Sequence, residues 1–348
     1  MRAKKVLRYI SLALLTGALL VGCSGKKESE TSTGKADSIR VGFFPNVTHS
    51  QALLGKANGD FQNNIGKDVK IEWKQFNAGP AEIESLLANE LDIGYIGPGP
   101  AVNGYSASNG DIQIISGATN SGAILISRKD INIKGVKDLN GKKVAIPQYG
   151  NTQDLCLRGL LKENGLKDTT RGGTVEVVQA PNPDIKTLID NKQIDAAFVP
   201  EPWGSKLVKE VGAKVVLEHD KTWRDGKYSS AVIVARKDFI NKNPEIVEKF
   251  LEAHVSLTDY INTHKEEAKE VVNKELHNLT KKSLPQDVLD ESFKRLVITN
   301  DPEKQSILDI VDLSRETGFL REKPDLSNLF SLDILNKVLK EKGLESVK

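Results

Sequence analysis

The chain has 348 residues, 39% hydrophobic, 28% charged and 5% aromatic, with 49 Lys and Arg against 47 Asp and Glu. That length and apolar content suffice for more than one lobe and exclude a disordered chain. The positive balance comes from Arg2, Lys4, Lys5 and Arg8; without residues 1–22 the formal charge is −2, which argues against a nucleic-acid binder.

In chain order, residues 1–22 read as a secretory leader. A basic start precedes an apolar run from Val6 to Val21, broken by Arg8 and shorter than the roughly 20 apolar residues of a spanning helix. The run ends in Leu20-Val21-Gly22-Cys23, which resembles the lipobox of bacterial lipoproteins and makes Cys23 the expected lipidation site. Residues 23–37 are polar and read as a flexible tether. Cys156 is the other cysteine, so a disulfide scaffold and a Cys-rich zinc site are excluded; it is expected to be a small buried residue and not a nucleophile.

From Ser38 onward strands and helices alternate. Strands are predicted at 39–44, 69–76, 93–96, 112–116, 143–146, 174–179, 195–199 and 214–217. Helices are predicted at 51–61, 81–89, 155–164 and 184–190. The tail after Asp238 reads as mainly helical, with Ile246, Phe250, Val255 and Leu257 on one face. Further helices are expected at 289–296, 305–316 and 332–340. The alternation predicts an α/β fold with mostly parallel sheets.

Two internal echoes predict the architecture. Ala123-Ile-Leu-Ile-Ser-Arg-Lys-Asp130 matches Ala231-Val-Ile-Val-Ala-Arg-Lys-Asp238, 108 residues later. Leu86-Leu87-Ala-Asn89, Asp92 and Pro98-Gly-Pro100 are echoed by Leu188-Ile189-Asp-Asn191, Asp195 and Pro200-Glu-Pro202. We therefore expect two similar lobes joined by two crossover segments. Lobe 1 would take residues 38–119 and 230–345, and lobe 2 residues 122–226. The ligand cleft would lie between them, outside the carboxyl ends of the strands.

The turns after the strands carry hydroxyls, amides, Gly and Pro, and several precede predicted helices. A helix start offers unpaired N–H groups and partial positive charge, so it can hold a small anion without Arg or Lys. Each such residue taken singly reads as a cap or a strand stop. No Gly-x-Ser-x-Gly, Walker or His-Glu-x-x-His pattern is present, and the five histidines have no metal-site spacing. The expectation is a binding protein with no catalytic residue, cofactor or metal.

The body resembles the periplasmic-binding-protein-like family (type II) of the aliphatic sulfonate, taurine and nitrate receptors of ABC importers. The residues that carry the resemblance are Ile39-Arg-Val-Gly-Phe-Phe-Pro45, Asp92-Ile-Gly-Tyr-Ile-Gly97, Asp138-Leu-Asn-Gly-Lys-Lys-Val-Ala145 and Asp195-Ala-Ala-Phe-Val-Pro-Glu-Pro-Trp203. The resemblance implies a lipid-anchored, extracytoplasmic monomer that delivers a small anionic or zwitterionic solute to a permease and its ATPase. An aliphatic sulfonate or taurine is the first expectation; nitrate, bicarbonate or a thiamine precursor are alternatives, as is a sensory lipoprotein. Carried over by position, the site comprises Asn46, Thr48, His49, Ser50, Gly79, Pro80, Gly97 and Pro98 in lobe 1. Thr119, Asn120 and Ser121 would sit by the hinge. Gln148, Tyr149, Asn151, Thr152 and Gln153 would grip from lobe 2, with Glu201 and Trp203 behind them. Glu201 would either accept an ammonium group or face the permease.

Overall fold

The computed structural model describes residues 36–348; the leader, Cys23 and most of the tether lie outside the described residues. The strands are β1 (Ser38–Phe43), β2 (Lys70–Gln75), β3 (Ile93–Ile96), β4 (Ile112–Ser121), β5 (Ala123–Ser127), β6 (Lys143–Ile146), β7 (Glu176–Gln179), β8 (Ala196–Pro200), β9 (Lys214–Leu217), β10 (Ser229–Arg236) and β11 (Leu296–Ile298). The helices up to β9 are α1 (Ser50–Asn58), α2 (Asp60–Ile65), α3 (Gly79–Leu87), α4 (Pro98–Ala107), α5 (Thr152–Glu163), α6 (Asn182–Asp190) and α7 (Trp203–Val211). After them come α8 (His219–Thr222), α9 (Lys237–Lys242), α10 (Pro244–Thr263), α11 (Lys265–Thr280), α12 (Gln286–Arg295), α13 (Lys304–Glu316) and α14 (Asp333–Glu341).

Two sheets form, in the orders β11-β4-β10-β3-β1-β2 and β7-β6-β8-β5-β9. The second repeats the first: β6 takes the place of β1, β7 of β2, β8 of β3, β5 of β10 and β9 of β4. In each sheet the echoed Arg-Lys-Asp strand is interior and runs against both of its neighbours, as β4 also does in the first sheet. The other echo supplies its partner. Asp92 pairs with Arg236 at 3.0 Å and Asp195 with Arg128 at 3.5 Å. The same aspartates accept the N–H groups of Arg40 and Lys143, where β1 and β6 begin. Each echo thus records one local device, an aspartate that ties three strands together. β4 and β5 are buried along their whole length; β5 is accordingly almost wholly apolar, whereas β4 also buries Gln113, Ser116, Thr119, Asn120 and Ser121.

The chain passes from β4 to β5 at Gly122 and returns to β10 after Tyr228. The two passages are joined: Ser121 N–H donates to the Tyr228 carbonyl at 2.8 Å and Ala123 N–H to the Tyr228 hydroxyl at 3.0 Å. Gly122 has φ +85, and a Cβ there would come within 2.2 Å of Leu296, so only glycine passes.

The readings differ from the structure at several points. Five of the nine strand pairings among the described residues are antiparallel, against the expectation of mostly parallel sheets, because β10, β5 and their outer partners pair antiparallel in their sheets. The tail read as mainly helical also supplies the strand β11, which begins where the helix expected at 289–296 ends. The helix expected at 51–61 is two helices, because Gly59 takes φ 78 and ends the first. Pro98 and Pro100 open α4 instead of closing a strand, since a first-turn proline forfeits only an N–H that has no intrahelical partner. α7 starts directly after the Pro-Glu-Pro turn, where no helix was predicted. Cys156 is 4% exposed, and burial raises its thiol pKa, as befits a packing residue. Among the described residues no helix is long and apolar enough to cross a membrane.

Candidate functional site

The carboxyl ends of six parallel strands feed one cavity of about 280 Å3 between the two sheets. β1 leads into the turn Val47–His49 and α1, β2 into α3, and β3 into α4. From the second sheet β6 leads to α5, β7 to α6 and β8 to α7. The lining comes from the starts of these helices, and none of it is Asp, Glu, Lys or Arg. The helix starts direct partial positive charge into the cavity, although Pro80, Pro98, Pro100 and Pro183 supply no N–H to α3, α4 and α6.

Of the expected residues, Asn46, Thr48, His49, Gly79, Gly97, Asn151, Thr152, Gln153 and Trp203 line this cavity. Asn46 Oδ1 caps the first turn by accepting from Thr48 N–H at 3.0 Å and from its hydroxyl at 3.1 Å. Asn151 caps α5 by accepting from Asp154 N–H at 2.9 Å. Asp154 in turn accepts from Gly150 N–H at 2.8 Å and from Arg158 at 2.7 Å, which fixes the loop ahead of α5. α3 has no side-chain cap, and Gly79 is required there because a Cβ would come within 2.2 Å of Pro100. The two lobes touch at this rim: Gly99 N–H donates to Thr152 Oγ1 at 3.1 Å, and the Asn103 amide to the Gly150 carbonyl at 3.3 Å.

His49 is 2% exposed, and burial holds its pKa down at about 3, so the ring is neutral. Its Nδ1 accepts the Phe44 N–H at 3.1 Å, and the ring stacks on Phe44 at 4.6 Å. Trp203 forms part of the apolar wall with Phe44 and several prolines, and Lys206 Nζ stands 5.2 Å from its ring centre.

The other expected residues do not line the cavity. Ser50 donates to the Val47 carbonyl, and Thr119 to the Thr48 carbonyl at 2.8 Å, so both brace the first turn from behind. Pro80 and Pro98 stand in the first turns of α3 and α4 but are not part of the lining. Asn120 bonds the Asp301 carbonyl, and the Ser121 carbonyl accepts from Ser230 in the crossover. Gln148 accepts from Asn151 N–H through its backbone, and Tyr149 is exposed with its hydroxyl on the Val177 carbonyl. Glu201 requires a correction. It neither reaches the cavity nor faces solvent: it is fully buried, accepts from Ser205 and Ser292, and pairs with Arg295 at 3.0 Å. Asn77 and Asn182, in strand-end turns expected at the cleft but not among the chosen site residues, line the cavity, as does Ser230, which sequence reasoning missed. The first two carry the strand-then-turn signal, whereas Ser230 is brought there only by the antiparallel pairing of β10 with β3.

The fold and this inter-lobe cavity define a ligand-binding protein of the two-lobed periplasmic-binding type. Within that class the chain belongs to the NMT1-like family, whose profile matches residues 32–275. A Bacillus subtilis protein, provisionally named an aliphatic sulfonates-binding protein, is 24% identical over 326 residues, 93% of this chain and 94% of its own. The alkanesulfonate-binding protein of Xanthomonas axonopodis bound to MOPS superposes with a TM-score of 0.71 at 17% identity, covering 86% of this chain and 99% of that one. The nitrate-binding protein of Synechocystis superposes at 0.73 with 15% identity, covering 88% and 89%, so likeness of fold does not separate these ligands.

Proposed function

We propose that the chain is the extracytoplasmic solute-binding component of an ABC importer, anchored through a lipid on Cys23 and acting as a monomer. Its cleft takes a small oxyanion with a carbon tail, an aliphatic sulfonate first of all, and hands it to a permease when the lobes open. The observation that carries this reading is the convergence of six helix starts on one cavity lined without an ionised side chain. One helix start favours an anion by about 0.3–1 kcal/mol; several together, with side-chain donors, can hold a desolvated anion without a fixed counter-charge. The proline, Phe44 and Trp203 walls suit an alkyl group, and the cavity exceeds what a bare inorganic anion would fill.

Taurine is the less favoured ligand. Glu201, the one carboxylate considered for its ammonium, is paired with Arg295, and Lys206 already stands over the Trp203 ring.

The test compares 1-propanesulfonate and taurine, which differ mainly by methyl for ammonium, with nitrate and a thiamine precursor as further arms. Thermal unfolding and calorimetric titration of the purified protein are the readouts. At about 100 times its Kd a ligand adds about 2.7 kcal/mol to native stability. We expect 1-propanesulfonate to bind at least about tenfold tighter than taurine. Tighter taurine binding would overturn the preference. No response to any oxyanion would overturn the function.

A further inference from the structure

We infer that His49 meets the ligand as a fixed, neutral hydrogen-bond donor through Nε2–H, with its tautomer set by the backbone. The inference rests on the oxyanion reading above and adds the role of one residue. A ring nitrogen that accepts a hydrogen bond carries no proton. Nδ1 accepts the Phe44 N–H, so the single proton of the neutral ring is on Nε2. Nε2 makes no hydrogen bond to the described residues, yet His49 lines the cavity. A donor is therefore held ready at the cavity wall, opposite the place where an oxyanion has only acceptors to offer.

The surroundings keep the ring neutral even beside an anion. Its aromatic neighbours are Phe44 on its own turn and Tyr95 of β3, 6.1 Å away. The Tyr95 phenol is bonded to His254 of α10, whose other nitrogen meets the Gly117 carbonyl of β4; all are uncharged. No carboxylate or ammonium of the described residues bonds His49. Protonating Nδ1 would set two donors, its own and the Phe44 N–H, against each other at 3.1 Å. The cleft thus reads an acceptor atom on the ligand without adding a charge that varies with pH.

The experiment uses nitrogen-15 NMR of the histidine rings and titration with 1-propanesulfonate. We expect pyrrole-type Nε2 and pyridine-type Nδ1 signals for His49 with no titration between pH 5.5 and 8. On adding the sulfonate, the Nε2 proton signal should shift. His49→Asn keeps an acceptor near the Phe44 N–H but cannot reach the cavity; it should lose about tenfold to a hundredfold in affinity, as for one hydrogen bond to a charged acceptor. His49→Gln, which places an amide N–H near the Nε2 position, should stay within about tenfold of the wild type. A ring that titrates near its ordinary value, a proton on Nδ1, an unmoved Nε2 signal in a protein that binds, or wild-type affinity in His49→Asn would each overturn the inference alone. Absence of sulfonate binding by the wild type would overturn the oxyanion reading and this donor role together, even with the tautomer as stated.

Discussion

Glu82 is a residue whose cost can be read directly. It sits in the first turn of α3, fully buried, with both carboxyl oxygens unpartnered. Gly42 and Gly94 make the room: a Cβ on either would come within 2.3 or 2.2 Å of Oε1. Burial raises its pKa well above the carboxylate range, so the folded protein holds the neutral acid. Below the ordinary carboxylate pKa both folded and unfolded chains are protonated, and this group sets no pH dependence. Above it the unfolded chain ionises and the folded one does not, so stability falls as pH rises. Glu82→Met should therefore stabilise the protein by about 1–3 kcal/mol at pH 8, and by less at pH 4, in chemical denaturation. An equal gain at both pH values would show that titration is not the source. In the sequence Glu82 looks like an ordinary helix-start acid, because the two glycines that receive it lie 40 residues before it and 12 after. His49 and Asn151 were legible for the opposite reason: the hydrogen bonds that fix their side chains are made within five residues.

At the scale of elements, α12 and β11 form a third link between the lobes. β11 pairs with β4 in the first sheet, while α12 packs on α7 of the second. Arg295, the last residue of α12, binds Glu201 at 3.0 Å and Glu218 at 2.8 Å and donates to Ser205. α13 likewise packs on both α4 and α5. Arg295→Met should cost about 3–5 kcal/mol, since it leaves the Glu201 carboxylate buried with only serine donors and no counter-charge. Adding Glu201→Gln should recover part of that loss, and Arg295→Lys should not rescue it fully, because lysine cannot serve both carboxylates as a planar fork. Thermal melts of the four proteins measure this; a cost below about 1 kcal/mol for Arg295→Met would remove the link from the argument. The sequence showed these helices by period but not the lobe each would touch, since an amphipathic stripe names no partner. α4 escaped because its Gly-Pro-Gly-Pro start carries the residues of a turn, and tertiary packing on α3 and α13 makes it a helix.

At the scale of the whole molecule, the two lobes meet at the cavity rim through the Gly99–Thr152 and Asn103–Gly150 hydrogen bonds. Opening about the passages at Gly122 and Tyr228 would break both. Small-angle scattering should show a smaller radius of gyration with 1-propanesulfonate than without it. Thr152→Val should shift the ligand-free protein toward the open form and weaken binding by about 0.5–1.5 kcal/mol, with little change in melting temperature. An identical scattering curve with and without bound ligand would refute closure.

The sequence by itself determined the two-sheet plan. The aspartate that ties three strands and the arginine that answers it are written twice, and strand period and turn residues are local properties. It also determined that the strand ends would carry neutral donors, because Asn, Thr, Ser and Gly before a helix are visible without a neighbour. Only the tertiary structure decided which of those turns reach one cavity, that Glu201 turns inward to Arg295, and that Glu82 is buried between two glycines. Each of these depends on helix rotation and on contacts between segments far apart in the chain, and no periodicity within one segment encodes them.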